Sequence, residues 1–300
     1  MVKPLRYLFI AVLLLSVGTV MMTACGKQAE PESQAVPTNG DSVSSADGVM
    51  IHYEAHGQGE PALVFVHGWS CDRGYWSSQM EHFGKTHRVV AIDLAGHGAS
   101  GLNRTDWTIP AFGEDVAAVV NKLGLTKVVL IGHSMGGPVC LEAARRLPDK
   151  VIALVGADTY QDFGRTYTEA DIAPLVAGFE QDFQTTANAF VRTMFPQTAD
   201  SAMVVDVASD MASAPPEIAV SAFRHVVTYD AGPALKEVKV PIRGINSDMV
   251  PVNVEGNQAL AESFEVKMMP GIGHFVMCED PAMFNAKLEE VLSELTAAAH

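Results

Sequence analysis

Short, unbroken apolar runs recur along the chain at wide intervals: Ala62–Val66, Val89–Ile92, Val128–Ile131, Val151–Val155 and Val240–Ile245. They lack the alternation of a sheet with one wet face, and their β-branched content suits strands covered by helices on both sides. Helical patterns lie between them. In Thr108–Leu123 the residues Phe112, Val116, Val119, Val120 and Leu123 share one stripe, and Gly124 follows as a stop. A last segment opens with Asp280-Pro281, an N-cap followed by proline at the first helical position, and its Phe284, Leu288, Val291, Leu292 and Leu295 again share a face. Strands alternating with helices predict an α/β fold on a mostly parallel central sheet flanked by helices. Met50–Glu54 alternates more and predicts a leading antiparallel strand. From Tyr160 to about Leu235 the pattern is helical with no convincing strand, which predicts a helical cap over 160–235.

The first residues follow a different logic. Lys3 and Arg6 precede an apolar run from Leu8 to Leu15 that continues through Val17, Val20, Met21 and Met22, the layout of an export signal over residues 1–24. Thr23-Ala24-Cys25 resembles a bacterial lipobox, with Met22 where leucine is usual. That resemblance implies lipid attachment at Cys25, a membrane partner through the anchor, and a place in the cell envelope. Gly26, where Asp would mark inner-membrane retention, favours the outer membrane; ordinary secretion and a retained anchor are the alternatives. Residues 25–47 are rich in Gln, Glu, Pro, Ser and Thr, too polar to bury a core, and read as a tether before a folded domain at 48–300.

Charge and cysteine usage narrow the picture further. A formal net charge of −15 without any Lys/Arg run argues against nucleic acid as a partner, because phosphate binding needs clustered cations. Beyond Cys25 stand Cys71, Cys140 and Cys278, none with metal-ligand spacing. Cys140 falls in an apolar helical stretch and reads as a small buried hydrophobe. Cys71 and Cys278 each lie a few residues beyond a loop with candidate chemistry; a disulfide between them and two free thiols are both open.

The chemistry centres on Gly132-His133-Ser134-Met135-Gly136-Gly137, directly after the run Val128–Ile131 and directly before a helical stretch, Pro138–Leu147. A serine on a sharp strand-to-helix turn is thrust out of the sheet, and the next helix aims its N-terminus at it. Two further segments agree: His67-Gly68-Trp69 after Ala62–Val66, and Asp93-Leu94-Ala95-Gly96-His97-Gly98-Ala99-Ser100 after Val89–Ile92. Together the three segments resemble the α/β-hydrolase superfamily, esterase-like and with a helical cap, over His52 to the C-terminus.

The resemblance implies a metal-free, cofactor-free serine hydrolase acting on a small ester-like molecule. Ser134 is the nucleophile, and His274, in Pro270-Gly271-Ile272-Gly273-His274-Phe275, is the base. His133 sits beside the serine and is the weaker candidate. The acid is expected at Asp248, in Asn246-Ser247-Asp248-Met249-Val250-Pro251, with Asp158 as the rival because some members draw it from that place. The backbone N–H groups of Trp69 and Met135 are the implied oxyanion donors. The segment at Asp93 is usually structural in such proteins. Trp69, Trp76 and Phe275 either line an apolar pocket or pack the core. The same triad serves lactonases, C–C hydrolases and aminopeptidases, and a lipid-anchored binding or sensing protein on this fold is the non-enzymatic alternative.

Overall fold

The computed structural model describes residues 41–297. The expected export signal, Cys25 and most of the expected tether lie outside the described residues. Eight strands form one sheet: β1 (Asp41–Ser44), β2 (Met50–His56), β3 (Ala62–Val66), β4 (Val89–Ile92), β5 (Val128–His133), β6 (Val151–Ala157), β7 (Ile242–Ser247) and β8 (Phe264–Met269). Their order is β1-β2-β4-β3-β5-β6-β7-β8. The first two pair antiparallel and the other six run parallel, so the fold is the α/β sheet that the apolar runs predict.

The continuous runs are buried on both faces: every residue of β3, β4 and β5 is inside. Each fully buried Val, Leu or Ile there contributes about 1.5–3 kcal/mol relative to an exposed one. Strand β7 starts two residues later than the run Val240–Ile245, because Pro241 has no N–H to give the ladder and can only accept, from Leu154, and it runs on to Ser247, which pairs with Met269 of β8.

Helices α1 (Ser77–Phe83), α2 (Ile109–Lys122), α3 (Gly136–Arg146), α9 (Val254–Leu260), α10 (Val276–Glu279) and α11 (Pro281–Ala297) connect or flank these strands. Helix α2 packs on α3, and α1 on α11. Thr108 caps α2 by accepting from the Ala111 N–H, and the Asp280 side chain accepts from Met283 at the start of α11. Between β6 and β7 the chain leaves the sheet for α4 (Glu169–Gln181), α5 (Phe183–Arg192), α6 (Ser201–Met211), α7 (Pro216–Val227) and α8 (Gly232–Glu237). A capping box between Thr168 and Asp171 starts α4.

One boundary is corrected. The tether expected to run to residue 47 ends earlier, because Asp41–Ser44 pairs with Met50–Tyr53 as an edge strand. Polar side chains do not prevent this, since an edge strand is held by its backbone ladder. The next residues are tied in as well: Ser45 donates to Asp115, and Asp47 accepts from Arg104.

Candidate active site

Strand β5 ends at His133, and the chain turns through Ser134 at φ +50° into α3. A left-handed serine costs about 1–2 kcal/mol. The surroundings impose it: the Ser134 N–H donates to the Ala157 carbonyl, and the Ser134 carbonyl accepts from Gly137. The crowding explains two of the glycines. A Cβ on Gly132 would lie 2.2 Å from the Gly136 carbonyl oxygen, and one on Gly136 would lie 2.4 Å from that of Val66. Ser134 is partly exposed while both of its neighbours are buried, as expected of a residue lifted out of the sheet.

Asp158 sits on the adjacent strand at the same height. The β5–β6 register pairs His133 with Ala157, so Ser134 and Asp158 are the next residues of neighbouring strands. Asp158 is also left-handed, at φ +45°, and is buried. One carboxylate oxygen, Oδ1, accepts from the Ser247 N–H at 2.7 Å; the other, Oδ2, lies 2.6 Å from His274 Nδ1. The sheet thus brings Ser134 and Asp158 together, and the loop after β8 adds His274. The His274 ring lies 4.8 Å, centroid to centroid, from that of His133, next to the serine.

The carboxylate against His274 is therefore Asp158, a correction to the pairing expected with Asp248. Asp248 is exposed and accepts instead from the Gly271 N–H at 2.9 Å. The reason is topological. Strand β6 lies directly against β5, whereas β7 is one strand further away and carries Asp248 past its end. The His133 ring is buried and engaged with the His274 main chain. Its Nε2 lies 3.0 Å from the His274 carbonyl and must donate to it, and complete burial beside His274 pushes the imidazole well below its ordinary pKa.

The expected oxyanion loop lies against Ser134. A Cβ on Gly68 would be 3.2 Å from Ser134 Cβ and 2.8 Å from His133 Nδ1. Buried His67 holds this loop: Nδ1 donates to the Gly68 carbonyl at 2.8 Å, and Nε2 accepts from the Leu94 N–H at 3.0 Å. The N–H groups of Trp69 and Met135 have no protein acceptor among the described residues. The Trp69 indole N–H donates to the Ala219 carbonyl in α7, and its ring packs among Phe179, Phe183, Phe190 and Phe223. The loop is thereby tied to the cap.

The remaining expected features divide between scaffold and site. Asp93 accepts from the Arg73 and Ala99 N–H groups and pairs with the Arg73 guanidinium, a structural role. Trp76 is core, fully buried against Phe65 and Phe284. Phe275 is fully buried and stacks on Phe195 at 5.0 Å. Cys71, Cys140 and Cys278 are free thiols. One residue that sequence reasoning missed is Glu279, whose carboxylate accepts from the N–H groups on either side of His274. The spacing of an acid five residues after the base was the available signal.

The strand-to-helix elbow at Ser134, the mostly parallel sheet and the imidazole–carboxylate pair of His274 and Asp158 define an α/β-hydrolase enzyme. The family model described as alpha/beta hydrolase fold matches residues 61–233, and the chain belongs to that family. Among curated relatives, 3-oxoadipate enol-lactonase 2 of Acinetobacter baylyi is 27% identical over 83% of this chain and 95% of its own length. The karrikin insensitive 2 receptor IA of Petunia hybrida is 24% identical over 77% of this chain and 90% of its own. Among solved structures, an esterase from Exiguobacterium antarcticum superposes with a TM-score of 0.75 at 20% identity, covering 86% of this chain and 99% of that one.

Proposed function

We propose that the chain is a serine hydrolase that cleaves a carboxylic ester through an acyl-serine intermediate, with Ser134, His274 and Asp158 as its triad. The observation that carries this reading is the 2.6 Å contact between His274 Nδ1 and the buried Asp158 carboxylate, on the strand next to the serine's. With Nδ1–H donated to Asp158, Nε2 is left unprotonated and able to accept a proton.

In the first half-reaction His274 Nε2 takes the Ser134 hydroxyl proton as Oγ attacks the ester carbonyl. The imidazolium then gives that proton to the departing alcohol. In the second half-reaction His274 removes a proton from water, whose oxygen attacks the acyl carbon, and returns it to Ser134 as the acid leaves. Asp158 holds the ring in place and stabilises the imidazolium. The main-chain N–H groups of Trp69 and Met135 face the developing oxyanion; one such donor is typically worth on the order of 3 kcal/mol in the transition state.

A lactone, which is a cyclic ester, is the second reading, favoured by the enol-lactonase relative that spans nearly the whole domain. A fluorophosphonate probe should label the wild type and not Ser134→Ala. A panel of acyl esters run beside lactones then separates the two readings. No labelling and no turnover would leave a binding protein, as the receptor relative suggests. We further propose export with lipid on Cys25, which an intact-mass shift of the protein from membranes would check.

A further inference from the structure

The base is held by its main chain, and one carboxylate contributes two of the contacts. Glu279, the last residue of α10, reaches back over the loop. Its Oε2 accepts from the Gly273 N–H at 2.9 Å and its Oε1 from the Phe275 N–H at 3.1 Å. These peptide groups bracket His274. The His274 N–H donates to the Met194 carbonyl at 2.9 Å, and its carbonyl accepts from His133. Gly273 is what lets the carboxylate come so near: a Cβ there would lie 2.7 Å from Glu279 Oε1 and 2.7 Å from the Met194 carbonyl oxygen.

The surroundings of Glu279 are mixed. Burial raises its pKa most; the Gly273 and Phe275 N–H groups and the charge of His274 lower it, and Asp158 raises it, with a net upward shift. The titratable groups that face it are His274, Asp158 and the Cys278 thiol. When ionised, Glu279 is a second negative charge near an imidazole that already has Asp158.

We propose that Glu279 is a positioning residue for proton transfer: it clamps the main chain on both sides of His274 and adds negative charge beside the imidazolium. This rests on the serine-hydrolase reading above. A clamp made only for stability would alter unfolding alone. A clamp that serves catalysis alters the turnover step and its pH dependence, because removing a nearby negative charge disfavours the protonated imidazole.

The test compares Glu279→Gln and Glu279→Asp with the wild type, using a p-nitrophenyl ester well below the unfolding temperature of each variant. Glu279→Gln should lower kcat by about tenfold or more, leave KM within about twofold, and move the acidic limb of the kcat/KM profile to lower pH. Glu279→Asp, which keeps the charge, should leave that limb in place. The low-field proton resonance of His274 Nδ1–H, assigned with His274→Ala, should shift in Glu279→Gln. That readout needs no turnover: a wild type that hydrolyses nothing while the resonance still shifts would overturn the hydrolase reading and keep the clamp. Glu279→Gln with wild-type kcat, wild-type limb and unmoved resonance, beside an active wild type, would overturn the clamp.

Discussion

Ser134 and Asp158 share an unusual backbone state, at φ +50° and +45°, at the ends of adjacent parallel strands. Two strained residues side by side, each over-determined by main-chain bonds to the neighbouring strand, are a pattern typical of sites where geometry serves chemistry. Asp158 draws its bonds from Ser247 and His274, and its N–H donates to Ile245, so β7 helps to fix a carboxylate that β6 supplies. The two candidate acids, Asp158 and Asp248, should therefore separate cleanly by mutation. Asp158→Asn keeps an acceptor for Ser247 but loses the charge opposite the imidazolium, and should lower kcat by at least about a hundredfold. Asp248→Asn keeps an acceptor for Gly271 at an exposed position and should stay within about tenfold of wild type. Steady-state kinetics on one activated ester decides it; the opposite ranking would return the acid to Asp248. The placement of Ser134 on the elbow and of His274 on the last loop was legible in the sequence because the elbow glycines and that loop are local signals. The choice of acid was not, because both loops carry an Asp and only the packing order of β5, β6 and β7 tells them apart.

Among the elements, the first strand shows what pattern reading overlooks. Asp41–Ser44 has almost no apolar content, yet it completes the sheet edge, and the segment behind it carries a buried ionic knot. Arg104 donates to both oxygens of Asp115 on α2, at 3.0 and 2.6 Å, and to Asp47 at 2.7 Å. Ser45 and the Ala95 N–H add two further bonds to the Asp115 carboxylate, whose side chain has no exposed surface. Burial raises the Asp115 pKa and the Arg104 contacts oppose it, so the carboxylate depends on its cation. Arg104→Met should destabilise the fold by about 3–5 kcal/mol, the usual cost of leaving a buried charge unpaired. The replaced Asp47–Arg104 contact is half-exposed and adds little to that sum. Urea unfolding measures the loss, and Asp115→Asn in the same background should recover part of it. A near-zero effect of Arg104→Met would mean that Asp115 is neutral in the fold. The apolar strands, by contrast, were legible throughout, because β-branched runs of that length have few other places to go.

At the scale of the whole molecule, the Gly68–Trp69 loop, the His274 loop and the helices between β6 and β7 are tied together by hydrogen bonds. The Trp69 indole donates to Ala219 in α7, and Met194, between α5 and α6, accepts from His274. The Tyr75 hydroxyl, a few residues beyond Trp69, donates to Asp210 in α6 at 2.6 Å. None of these contacts has a sequence signature, since each joins positions far apart in the chain through a main-chain group or a single side chain. Beneath these contacts lie buried imidazoles that must remain neutral. His67 and His97 lie 5.0 Å apart, ring to ring, and burial, their largest influence, holds both well below the ordinary histidine range. A histidine with a lowered pKa in the fold binds fewer protons there than in the unfolded chain. Its stabilising contribution is thus complete above about pH 6.5 and is lost as pH falls through the lowered native values. The lowered carboxyl of Glu142, which accepts from Arg145 and Arg146, works in the same direction at lower pH. Unfolding free energy measured by urea should accordingly fall steadily from pH 7 to pH 4. Replacing His97 by Asn should flatten that slope while costing stability at pH 7, since the Ala95 carbonyl loses its ring partner. Because His67 positions the Gly68 loop, activity at low pH should decline before global unfolding; a flat stability profile with an unchanged slope in the His97 variant would remove the buried imidazoles from that account.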